Sequence, residues 1–189
     1  MVLYNYWRNI VVRPSIAKGI SVDGQLSHHN HNLIIKSNKM NNNMMQLAEI
    51  KVSYNPKIKP SERLMISGSS DINTALRKVW SYPLELKECF YAIYLNRSNR
   101  VLGFMLVSVG GLTGTIVDVR NILQTALKAN ACSVILAHNH PSGNPNPSEA
   151  DIQITRRVNE AAKIMDIQVL DHLILLTEGY YSFADEGRM

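Results

Sequence analysis

His138 and His140, one residue apart, followed by Ser148 and Asp151, are the residues of this 189-residue chain whose types and spacing suit metal chemistry. They follow an apolar run at 132–137 that reads as a buried strand. Side chains along a strand alternate between faces, so positions 138 and 140 project the same way and two imidazoles converge on one point. A loop stiffened by Pro141, Pro145 and Pro147, with Gly143 for a turn, separates them from Ser148. There a helix opens, with Ile152, Thr155, Val158, Ala161 and Ala162 along one side, which puts Asp151 in its first turn.

Two neutral imidazoles and one carboxylate suit a single zinc ion. Three protein ligands leave the fourth tetrahedral position for water, which distinguishes a catalytic from a structural site. Water held there ionises near pH 7, so a nucleophile is available at neutral pH. Ser148 and Asp151 by themselves also fit a helix cap of the form S-x-x-D, which needs no metal. A single histidine at a strand end is ordinarily structural as well. The metal reading rests on the joint pattern: same-face histidines, a rigid loop, a hydroxyl and a carboxylate three residues apart.

The positioning elements are legible around this stretch. Residues 90–95 read as an apolar strand, 96–100 as a hairpin turn, and 101–107 as the returning antiparallel strand. A helix capped at Ser70 and Asp71 is expected to run to about Trp80, and another over 120–130. Residues 48–54 and 169–176 look like strands. The glycine-rich segment from Gly110 to Thr115 would cradle a phosphate only if a helix N-terminus followed directly. Ile116 and Val117 read as strand, so a plain turn is expected there.

The run His138, Asn139, His140, then seven residues, Ser148, two residues and Asp151 resembles the JAMM motif of JAB/MPN-type zinc metallopeptidases. The segment HNHPSG, with Leu170, Asp171 and His172 and with Tyr181, Ser182 and Phe183, is similar to the RadC-like branch, over residues 48–189. The resemblance implies an α/β fold of cytidine-deaminase-like architecture, with a mixed, partly antiparallel sheet flanked by helices. It implies one zinc ion per chain held by His138, His140 and Asp151. It also implies an upstream glutamate as general base, for which Glu88, directly before the apolar strand, is preferred over Glu85. In such a site Glu88 would take a proton from the attacking water and pass it to the leaving amine, while Ser148 would donate to the oxyanion. Asp171 and His172 are expected not as further ligands but in a structural or supporting role, for which a carboxylate that orients a ligand imidazole would suit Asp171. Longer members carry an N-terminal helix-hairpin-helix region, to which the leader here looks unrelated.

Composition bounds the remaining classes. A hydrophobic content of 46% supports one sizeable core, assigned to residues 48–189. Residues 1–47 read as a basic, poorly ordered leader rich in Asn, Ser and His. Residues 1–60 hold eight Lys/Arg against Asp23 and Glu49, a net of +6 in a chain of +5, which leaves −1 for the remainder. A nearly neutral catalytic region has no broad footprint for a polyanion. Cys89 and Cys132, without a CxxC partner, build neither a disulfide framework nor a cysteine zinc site. No run spans a bilayer and no secretory signal is evident, so a cytoplasmic location is expected. The resemblance implies, as substrate class, a peptide or protein cleaved at an amide bond. A DNA-associated repair or mobile-element role, supported only by the basic leader, is the alternative. A nucleic-acid deaminase would need His-x-Glu with a PCxxC pair, and neither that nor HExxH is present.

Overall fold

Strand β1 (Cys89–Leu95) is buried along its whole length, as a contiguous apolar run requires when a sheet is covered on both faces. At its end Asn96 Oδ1 accepts from the backbone amides of Ser98 and Arg100 at 3.0 and 2.9 Å, and Asn99 takes a left-handed conformation with φ 54°. Asparagine tolerates both roles in a tight turn. The chain returns as β2 (Val101–Val109), antiparallel to β1 and two residues longer than the sequence pattern suggests.

In the computed structural model, which describes residues 57–110 and 116–189, β3 (Ser133–Asn139) pairs antiparallel with β1 and parallel with β4 (Gln168–Leu175). Parallel neighbours need a long crossover, and α3 (Glu149–Ile164) supplies it. A short β5 (Tyr180–Ser182) closes the edge antiparallel to β4, so the sheet order is β2-β1-β3-β4-β5. This is the mixed, partly antiparallel α/β sheet that the sequence resemblance implies.

Alternation along β1 and β3 sorts the core into two layers. Phe90, Ala92, Tyr94, Val134 and Leu136 face α2 (Val119–Lys128) and α3 through Ile122, Leu123, Ala126, Val158 and Ala162. On the opposite side Tyr91, Ile93, Leu95, Ile135 and Ala137 pack with Ile72 and Leu76 of α1 (Ser69–Val79). Each fully buried leucine or isoleucine contributes roughly 1.5–3 kcal/mol. The two layers therefore hold β3 from both faces up to the residues where the histidines begin.

Helix α1 starts at Ser69 with Gly68 as its N-cap and no side-chain cap bond. Asp71 instead accepts from the Ser67 amide at 2.8 Å, securing the entering chain. Ile116 and Val117 are not in a strand. They lead into α2, whose N-cap Asp118 accepts from the Arg120 amide, and Ile116, 91% exposed, has no sheet neighbour. The leader at 1–47, the strand at 48–54 and residues 111–115 of the glycine-rich segment lie outside the described residues. Among those described, no helix is long and apolar enough to cross a membrane.

Candidate metal centre

His138 is the penultimate residue of β3, flanked in register by Phe90 of β1 and Ile174 of β4, and is 1% exposed. His140 lies one residue past the strand, its amide bonded to the Leu175 carbonyl at 3.3 Å. The turn that follows is closed by the Gly143 amide on the His140 carbonyl, with Gly143 at φ 74°, a conformation that costs glycine little. That turn brings the Asn144 carbonyl to 2.7 Å from His140 Nδ1. A carbonyl only accepts, so Nδ1 carries the proton and His140 Nε2 offers a lone pair.

Helix α3 delivers the carboxylate. Ser148 is its N-cap, and Ser148 with Asp151 forms the reciprocal cap: Asp151 N donates to Ser148 Oγ, and Ser148 N donates to Asp151 Oδ2 at 2.7 Å. The cap and the metal reading, posed as alternatives by the sequence, are compatible, because the cap engages only Oδ2 and leaves Oδ1 facing His138. Oδ1 lies 3.2 Å from His138 Nε2 and Oδ2 lies 3.4 Å from His140 Nε2, while the two Nε2 atoms are 2.9 Å apart. Ligand atoms of His138, His140 and Asp151 all fall within 4.8 Å of one another. Two imidazole nitrogens and a carboxylate crowded in this way repel unless positive charge lies among them. The donor set therefore fits a divalent cation with a taste for nitrogen and oxygen.

Charge follows the same logic. Burial pushes the Asp151 carboxyl up, but the neighbouring His138 and His140 and the Ser148 hydroxyl outweigh burial and hold it well below the usual carboxylate range. His140 is raised, chiefly by its bond to Asp151 against the opposing effect of burial. Glu88, immediately before β1 and half-buried, is raised by burial, partly offset by the two histidines and reinforced by Asp151. Its carboxyl thus lies in the field of the triad. Glu85 is exposed and accepts from Thr177 Oγ1 at 3.2 Å instead.

Ser148 Oγ gives its proton to Asp151 Oδ2 at 2.6 Å. It can donate to an oxyanion only by releasing that bond. Ser148→Ala removes both the cap acceptor and this donor, and a loss of about 1 kcal/mol is expected. Chemical denaturation of the metal-free protein reads it; unchanged stability would show that the cap contributes nothing.

Asp171 does not orient a ligand imidazole. Its oxygens accept from the His172 and Ala184 amides and from Ser182 Oγ, at 2.7, 3.0 and 2.7 Å, which ties β4 to the segment after β5. Alternation sends the next side chain the other way, and it is His172 that reaches the site, with Nε2 at 2.8 Å from His138 Nδ1. His172 is fully buried, stacked on Phe183 at 4.9 Å and edge-on to Phe90 at 5.4 Å, and burial pushes its pKa well down. Sequence reasoning assigns no role to Asn139, between the two histidines. It is 0% exposed and binds the chain before β1 from across the sheet.

A mixed five-stranded sheet with a His-x-His at the exit of one strand and an aspartate in the first turn of the crossover helix defines a JAB-type α/β domain. The model of the RadC-like JAB domain family matches residues 66–188, and the chain belongs to that family. It is 50% identical over 100 residues to a UPF0758 protein of Flavobacterium johnsoniae, covering 53% of this chain and 44% of the relative. A UPF0758 protein of Syntrophomonas wolfei is 41% identical over 127 residues, covering 66% and 54% respectively. The chain thus spans about half the length of the curated relatives it matches.

Proposed function

We propose that this chain is a zinc-dependent hydrolase of amide bonds, acting on a peptide or protein, with His138, His140 and Asp151 as metal ligands and Glu88 as general base. The observation that carries this reading is the convergence of two imidazole nitrogens and one carboxylate beside a second, half-buried carboxyl. A zinc ion there would supply a Lewis acid for the scissile carbonyl and acidify the attacking water towards pH 7.

The residues divide the remaining work. Glu88, raised by burial, holds a proton nearer neutrality than an exposed glutamate does, as a shuttle from water to leaving amine requires. Asp151 lies against both imidazoles and the Asn144 carbonyl holds His140, so these two rings need not reorganise when substrate arrives. Ser148 serves as the oxyanion donor once its hydroxyl leaves Asp151.

Comparison of protein N-termini and lysine-linked adducts in a proteome treated with the wild-type chain or with Glu88→Gln, each loaded with zinc, tests this. New termini or released adducts are expected with wild type alone, with a loss of at least about a hundredfold in the variant. Equal products from both would remove Glu88 from the mechanism. No zinc uptake by the wild-type chain would remove the metal centre.

A further inference from the structure

Taking the triad as a metal site, we propose that Thr155 and His172 form a relay that sets His138 as its Nδ1–H tautomer and so keeps His138 Nε2 bare for the ion. Thr155, one turn along α3 from Asp151, is then a positioning residue of the centre without touching it.

Hydrogen-bond direction carries the argument. Thr155 Oγ1 lies 2.6 Å from the backbone carbonyl oxygen of Asp151 and 2.6 Å from His172 Nδ1. Two oxygens that close need a proton between them, and the carbonyl brings none, so the hydroxyl proton points to Asp151. A hydroxyl has one proton. Towards His172 it can only accept, and His172 Nδ1 must carry the hydrogen.

His172 is enclosed by Phe90 and Phe183, and among the described residues its ring nitrogens meet only the threonine hydroxyl and another imidazole. With no carboxylate at either nitrogen, the neutral ring is the favoured form there. A neutral ring protonated on Nδ1 has its lone pair on Nε2, and that atom faces His138 Nδ1 at 2.8 Å. His138 must donate, which empties its Nε2 of hydrogen on the side facing His140 and Asp151. The relay therefore starts at the main-chain oxygen of Asp151 and returns to that residue's carboxylate. One residue both anchors the tautomer and receives its consequence.

Thr155→Val keeps the shape and removes the acceptor. The His172 proton is then better placed on Nε2, where it confronts His138 Nδ1 and drives the His138 proton to Nε2, the position the ion would take. Supporting groups of this kind change metal affinity by about 10–100-fold. Zinc affinity of the full chain, measured by competition with a chelator, should fall by that factor in Thr155→Val and stay within about threefold of wild type in Thr155→Ser, which restores the hydroxyl. Wild-type affinity in the valine variant overturns the relay, as does an equal loss in the serine variant.

Two-bond proton–nitrogen spectra of the histidine-labelled wild-type chain give a readout that needs no variant to fold. His172 is expected with hydrogen on Nδ1 and a bare Nε2; the opposite tautomer overturns the proposal. This spectrum can be read whether or not the chain takes up zinc, so a failure of the relay is distinguishable from a failure of the metal reading.

Discussion

Asp151→Asn is expected to weaken zinc binding by more than about a hundredfold, beyond what supporting residues command, while leaving the metal-free protein at least as stable as wild type. The loss follows from charge: the only carboxylate of the triad becomes a neutral amide. The retained stability follows from geometry. An amide oxygen can still accept from Ser148 N, as Asp151 Oδ2 does at 2.7 Å, so the α3 cap survives. The amide nitrogen, in the place of Oδ1, meanwhile offers a hydrogen to His138 Nε2, which lies 3.2 Å from that oxygen in the wild type. One contact between acceptors becomes a hydrogen bond. With free zinc at a thousand times the wild-type Kd, wild type gains about 4 kcal/mol, and a hundredfold weaker variant gains about 1.4 kcal/mol. Thermal melts with and without zinc read the difference. An asparagine variant that melts with a wild-type zinc increment would take Asp151 out of the ligand set.

Asn139→Ala should be the most destabilising change of a residue outside the two apolar layers. The side chain is wholly buried and makes three hydrogen bonds: Oδ1 accepts from Cys89 N at 2.8 Å, and Nδ2 donates to the carbonyls of Leu84 and Lys87 at 2.6 and 2.9 Å. Alanine leaves one buried amide and two carbonyls without this partner, each worth about 1–3 kcal/mol but not additive. A net loss of roughly 3 kcal/mol is expected, or a fall in Tm of roughly 10 °C for a domain of this size. Asn139→Asp should be no better, because it turns an oxygen towards two carbonyl oxygens. A shift under about 3 °C in the alanine variant would mean that water replaces the bonds. The same three bonds hold the backbone on both sides of Glu88, so the residue between the two histidines also fixes where the proposed base sits.

The features legible in the sequence were the local ones. His138, His140, Ser148 and Asp151 fall within one short stretch, and the periodicities of a strand and a helix suffice to say which side chains share a face. The hairpin of β1 and β2 was legible because its turn is contiguous and carries Asn96 and Asn99. Contacts between distant elements were not. Thr155 looked like one more position on the buried side of α3, and nothing in its spacing reveals that β4 lays His172 against it. Asp171 was the natural choice to orient an imidazole by residue type, yet a strand sends neighbours to opposite faces, and the carboxylate went to Ser182. Ile116 and Val117 have the branched side chains of a strand, but pairing needs a neighbouring edge, and the chain passes instead into the cap of α2.

The three proposed ligands come from one unbroken stretch, residues 138–151, whereas Glu88 reaches the site from the start of the neighbouring strand β1. On the proposed reading, ion capture and proton transfer are thus written in separate parts of the gene. A single codon change at position 88 would then yield a descendant that still loads its ion but has lost its proton carrier. Exchange of the 138–151 cassette would retune the ion while the proton carrier stayed in place.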